Sequence, residues 1–139
     1  MAIDQVGFLL VDSKRSPRLT SEGWIADGTL LVSKDETLKI LGDYFSVVEE
    51  RSGSWRGDRE GLDCTIGFTD DGRVEEIEVR IALKNRPTRN RLEELSRTIH
   101  RIASQLGLGV FSMTEGRTLS TVEEMVDATL HSRAGRLYF

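Results

Sequence analysis

Between Leu62 and Leu106 the spacing of hydrophobic positions changes from two to about three and a half. Ile77, Val79, Ile81 and Leu83 alternate with Glu76, Glu78, Arg80 and Ala82, the period of a strand with one buried face. Leu62, Cys64, Ile66 and Phe68 alternate in the same way. Asp70-Asp71-Gly72 between the two runs supplies a turn, with glycine free to take positive φ. Leu92, Leu95, Ile99, Ile102 and Leu106 then recur at three- and four-residue steps, one face of a helix. Pro87 stops the second strand, Asn90 with Glu93 forms an Asn-x-x-Glu cap, and Gly107 ends the helix. Glu93 and Arg97 are spaced for a surface pair. The helix should cover Ile77, Val79, Ile81 and Leu83, leaving Glu76, Glu78 and Arg80 on the opposite face.

The flanking regions repeat these signals more weakly. Val6 to Val11 reads as a strand and Asp12 to Glu22, with Pro17, as a loop. Asp27-Gly28 marks the turn of a hairpin, or a turn entering a strand, within 25–32. Ser33 and Glu36 make a capping box for a helix that buries Leu38, Leu41 and Phe45. Tyr44 to Glu50 is a strand and Ser52 to Gly61 a Gly-rich charged loop. Leu108 to Met113 is a short strand, followed by a turn at Glu115-Gly116. Ser120 and Glu123 form a second capping box, opening a helix that Ala134-Gly135 ends. Leu137-Tyr138-Phe139 is an apolar tail, packed on the core or left for a partner. No repeat or linker divides the 139 residues, a length that suits one domain. The expected architecture is a single α+β domain over residues 1–139. Its sheet is an antiparallel meander of three to five strands, with two or three helices packed on one face.

Composition narrows the class. With 38% apolar and 30% charged residues and a net charge of −4, the chain can bury one core and carry a charged surface. Phe8-Leu9-Leu10-Val11 is too short for a signal peptide or a membrane span. Cys64 is the only cysteine, which excludes an intramolecular disulfide and a cysteine-ligated zinc site. A cytoplasmic location, with Cys64 a core residue, is the expectation. The charge is uneven: residues 62–83 hold six acids against two bases, and residues 84–101 hold six bases against two acids.

Candidate chemistry is sparse. His100 and His131 lie in different helices without ligand-spaced neighbours, and Asp70-Asp71-Gly72 lacks the spacing of a calcium loop. No metal, no cofactor and no catalytic residue is therefore assigned, and the chain is read as a non-enzyme. No Gly-x-Ser-x-Gly elbow or phosphate-cradling loop opens a helix. Lys84, Arg86, Arg89 and Arg91 fall within eight residues without an acid among them. They form an anion-binding candidate at a helix start, or a solvated corner whose arginines pair with the adjacent acidic hairpin. The absence of interleaved aromatics and the acidic balance weigh against nucleic acid. Glu76 and Glu78 share a strand face that is either solvated or a docking surface. Trp55, with Arg56 and Arg59 beside it, is an interface anchor if exposed and a cap on the core if folded back. Trp24 reads as core.

The series Ile77-x-Val79-x-Ile81, Pro87, Leu106-Gly107, a short strand, Gly116-Arg117-x-Leu119 and a last helix with Ser132 near its end resembles small bacterial proteins. Some of these serve as cytoplasmic immunity partners of secreted toxins. The resemblance spans residues 74–133 and carries over no functional residue. It implies a stoichiometric inhibitor that plugs a toxin's active site with acidic residues. The leading expectation is a protein-binding chain using Trp55, Arg56, Arg59, Glu76 and Glu78. A homodimer sealed by the C-terminal apolar residues and an anion or nucleic-acid adaptor built on residues 84–91 are the alternatives.

Overall fold

The computed structural model describes residues 4–12 and 16–139; residues 13–15 of the expected 12–22 loop lie outside the described residues. The protein is α+β, with a seven-stranded antiparallel sheet. The chain runs β1 (Gln5–Val11), β2 (Arg18–Thr20), β3 (Gly23–Ile25), α1 (Lys34–Tyr44), β4 (Ser46–Glu50), β5 (Ser54–Arg59), β6 (Leu62–Phe68) and β7 (Val74–Ala82). It continues through α2 (Arg89–Leu106), β8 (Gly109–Ser112), β9 (Arg117–Leu119), α3 (Val122–His131) and α4 (Arg133–Tyr138). The strand order is β4-β5-β6-β7-β1-β8-β9, so only β4 to β7 form a meander. The expected three to five strands are exceeded because β1 docks between β7 and β8 and β5 extends the sheet, and the expected two or three helices because Ser132 separates α3 from α4.

One face of the sheet is dry. Val6, Phe8 and Leu10 of β1, Cys64 and Ile66 of β6, and Ile77, Val79 and Ile81 of β7 are each at most 2% exposed. They share a core with Leu41 of α1, Leu92, Ile99 and Ile102 of α2, Met125 of α3 and Ala134 of α4. Helix α2 covers this face as its stripe predicts. Its cap lies two residues earlier than Asn90: Thr88 is the N-cap, its hydroxyl accepting from the Arg91 amide at 3.1 Å. Gly107, at φ 70°, closes it. Arg89, not Arg97, is the cation paired with Glu93. Ser33 caps α1 as expected. The second capping box is shifted by one residue: Thr121 accepts from the Glu124 amide, and Glu124 accepts in turn from the Ser120 amide.

Helix α3 ends at Ser132, which also caps α4. Gly135 does not terminate a helix. It lies where an added Cβ would meet the Thr129 carbonyl at 2.1 Å, so only glycine lets α4 fold back onto α3. The C-terminal residues are thus partly helical, with Leu137 and Phe139 exposed and Tyr138 packed against the core.

Two further expectations change. The hairpin lies at β2–β3, pairing Arg18 with Ile25 and Thr20 with Gly23, so Asp27-Gly28 follows it instead of turning it. Trp24 does not join the main core. It packs edge-on to Phe111 at 5.1 Å and donates its indole N–H to the Met113 carbonyl. With Leu9 and Val11 it forms a small cluster on the other side of the sheet. The residues expected as a loop at 52–61 are mostly β5. Trp55 pairs with Ile66 and Gly57 with Cys64, and both face the core. A Cβ at Gly57 would come within 2.5 Å of the Trp55 ring, so the glycine is the seat on which the indole lies.

Candidate functional site

The alternation that buries Cys64 and Val79 forces Asp63, Thr65, Glu76, Glu78 and Arg80 onto the reverse face. Over β5 to β7 this face carries no apolar layer, and its side chains are partly exposed. Register places Asp63 opposite Arg80 and Thr65 opposite Glu78 on one side, and Arg56 opposite Thr65 on the other. The charges close into a chain. Arg56 donates to Asp63 at 3.0 Å, Arg80 donates to Asp63 at 3.1 Å, and Arg80 also donates to Glu78 at 2.6 Å. The side chains of Asp63, Glu78 and Arg80 are only 14–16% exposed. Burial opposes the charge on Arg80, yet Glu78 and Asp63 together hold its pKa above the ordinary guanidinium value. Glu76 stands apart. It makes no ion pair among the described residues, and burial, with Glu78 and Glu75 nearby, raises its carboxyl pKa.

Of the five residues expected to bind a partner, the structure gathers Arg56, Glu76 and Glu78 on this face and removes the other two. Trp55 is 3% exposed, under the helices, because its register partner Ile66 points there; it is a core cap and not an interface anchor. Arg59 pairs with Leu62 in register, placing it on the helix side at the end of β5, away from Glu76 and Glu78. The face is also less acidic than the run of glutamates suggests, since Arg56 and Arg80 neutralise part of it, although Asp58 joins it opposite Asp63. Asp63 and Arg80, which hold the lattice together, are not among the expected site residues. Their signal was present: Asp63 lies eight residues before Asp71 and Arg80 eight after Gly72, so folding at that turn sets them opposite one another. Neither Glu49 nor Glu50 joins the lattice; Glu49 pairs with Arg51 on the exposed edge strand β4.

The four basic residues of the 84–91 corner also divide. Arg89 turns to Glu93 and Asp127, at 3.7 and 3.9 Å. Arg91 pairs with Glu94 at 3.0 Å and donates to the Glu60 carbonyl at 2.9 Å. Their carboxylate partners thus come from helices α2 and α3 and not from the β6–β7 hairpin. Lys84 and Arg86 make no ion pair among the described residues. Arg86 and Arg91 line one cavity, and Lys84 and Arg89 do not.

Cys64 is fully buried, and burial pushes its thiol pKa up, so it is an inert core residue in this fold. Among the described residues no three His, Cys, Asp or Glu side chains cluster as metal ligands, and no helix is long and apolar enough to cross a membrane. In comparison with known proteins, the chain matches no family model, no curated protein and no solved structure.

Proposed function

We propose that this chain is a non-enzymatic protein-binding module that docks its partner on the open half of the sheet, over β5 to β7. The observation that carries the reading is the ion-paired lattice of Arg56, Asp63, Arg80 and Glu78, with Glu76 unpaired beside it. Side chains already pinned by their neighbours lose little freedom on association, which lowers the cost of binding. A fixed pattern of charge selects a complementary partner, and a cation on that partner would satisfy Glu76. The resemblance of residues 74–133 to immunity-type proteins supplies the partner class: a protein toxin, inhibited one to one in the cytoplasm.

The test captures a partner on the native chain, purifies it, and titrates it against the native chain and the Glu76→Lys/Glu78→Lys double variant. Calorimetry should give a 1:1 complex with affinity lower on the order of a hundredfold in the variant. Native chain, but not the variant, should suppress the partner's toxicity in cells. Equal affinity in the two proteins overturns the docking face. In the same preparation, light scattering separates this reading from self-association through the exposed Leu137 and Phe139.

A further inference from the structure

The 83–91 corner holds a cavity of about 390 Å³, at the lower end of the size range of small-ligand pockets. Its walls come from four places: the β5–β6 turn at Glu60-Gly61, the end of β7 at Ala82, the corner itself, and the first turns of α2. The interior side is apolar. Leu95 is 2% exposed, and Gly61 lies so close that a Cβ there would sit 3.1 Å from the Leu95 methyls. The rim is polar and cationic, with Asn85, Arg86 and Arg91. Arg91 is a fixed wall: its guanidinium is tied to Glu94 on one nitrogen and to the Glu60 carbonyl on the other. Arg86 is the counterpart that has no carboxylate partner among the described residues. Glu60 is the one acid on the lining, and it is exposed. Counting Arg91 as neutralised by Glu94, what remains is the Arg86 guanidinium, with no ion pair to Glu60, and the Glu60 carboxylate turned to solvent on the rim, over an apolar floor.

From this arrangement we infer that the cavity binds a small organic oxyanion, a phosphate monoester or carboxylate carried on a short apolar body. The oxyanion would take Arg86 as its ion partner, with the Asn85 amide beside it, and the apolar body would lie against Leu95 and Ala82. A bare inorganic anion would use the rim and leave the floor wet. A long polyanion would gain only one unpaired guanidinium. The size and the two-sided lining therefore point to a compact amphipathic ligand. The site lies outside the β5–β7 docking face and does not depend on it.

The backbone supplies an unusually clean control. Arg86 is the only non-glycine residue at positive φ among those described, at 49°, and it precedes Pro87. Glycine takes that conformation without the Cβ clash. Arg86→Gly should therefore fold, while removing the cation.

Phenyl phosphate and benzoate are titrated into 15N-labelled protein at constant ionic strength, with inorganic phosphate and neutral benzyl alcohol as comparators. The expected result is saturable 1:1 binding of at least one aromatic anion, with amide shift changes centred on residues 60–61, 82, 85–86, 88, 91 and 95. Inorganic phosphate and benzyl alcohol should each bind more weakly. In Arg86→Gly the affinity should fall roughly tenfold or more; Arg86→Lys should retain part of it. Glu76→Lys/Glu78→Lys should bind as the native chain does, so loss of the docking face and loss of this site are read separately. No saturation by either aromatic anion, shifts that follow added sodium chloride equally well, or unchanged affinity in a folded Arg86→Gly protein would each overturn the proposal.

Discussion

The two faces of one sheet are built from alternate residues of the same strands and are held by different physics. On the helix side, Ile77, Val79 and Ile81 are wholly buried, and the cohesion is close packing and removal of apolar surface from water. One residue along, Glu78 and Arg80 sit at 16% exposure and are held by ion pairs whose worth depends on how far water is excluded. The helix side sets whether the chain folds. The reverse side has little to contribute to stability and keeps its charges in fixed places, which is the property a docking surface needs. The lattice is also not uniform: three carboxylate–guanidinium contacts close it, and Glu76 is left over.

Breaking the helix side should have the largest effect. Phe8 is fully buried between β7 and β8, and Phe8→Ala should cost about 4 kcal/mol in urea unfolding, with little dependence on salt. A loss near zero would mean the sheet does not rest on this core. Removing the hub of the other face should cost less. Arg80→Ala leaves Asp63 and Glu78 without their shared cation and should cost about 1–2 kcal/mol, between exposed and buried pairs. That cost should shrink as salt is added. A salt-independent loss as large as that of Phe8→Ala would erase the contrast between the faces.

The smallest effect is on pH dependence. The Glu76 carboxyl is raised in the folded protein, so it keeps its proton at a pH where the unfolded chain has already lost it. The native state then binds more protons, and stability falls as pH rises from the ordinary carboxylate value through the raised one. Glu76→Gln should remove that fall. Melting temperatures of the two proteins should agree well below the carboxylate range, and the variant's should be modestly higher at neutral pH. A lower melting temperature for the variant at neutral pH would mean that the charged carboxylate is satisfied in the fold.

The β6–β7 hairpin and α2 were readable because each carries its own period over enough residues to be unambiguous. The same alternation placed Glu76, Glu78 and Arg80 together. Strand β5 is hard to read from sequence because one of its two buried positions, Gly57, has no side chain to display hydrophobicity, and the other, Trp55, stands alone among polar residues. Its character appears only when the Trp55 ring lies over Gly57. Arg59 was misplaced with it, since the face of a residue in an unrecognised strand cannot be counted. The Thr88 cap is not legible in the sequence because Asn90 and Glu93 offer the same signal two residues later, and the geometry of the turn after Pro87 decides between them.

Local spacing by itself determined the class of this protein, its central hairpin, its long helix and which charged residues share a strand face, because those depend on residues near in sequence. Tertiary structure alone decided that β1 enters between β7 and β8, that Trp55 is interior, and that Arg86 and not Arg89 meets Arg91 at a cavity. Those outcomes depend on contacts between segments tens of residues apart, where the best shared packing prevails over any local preference.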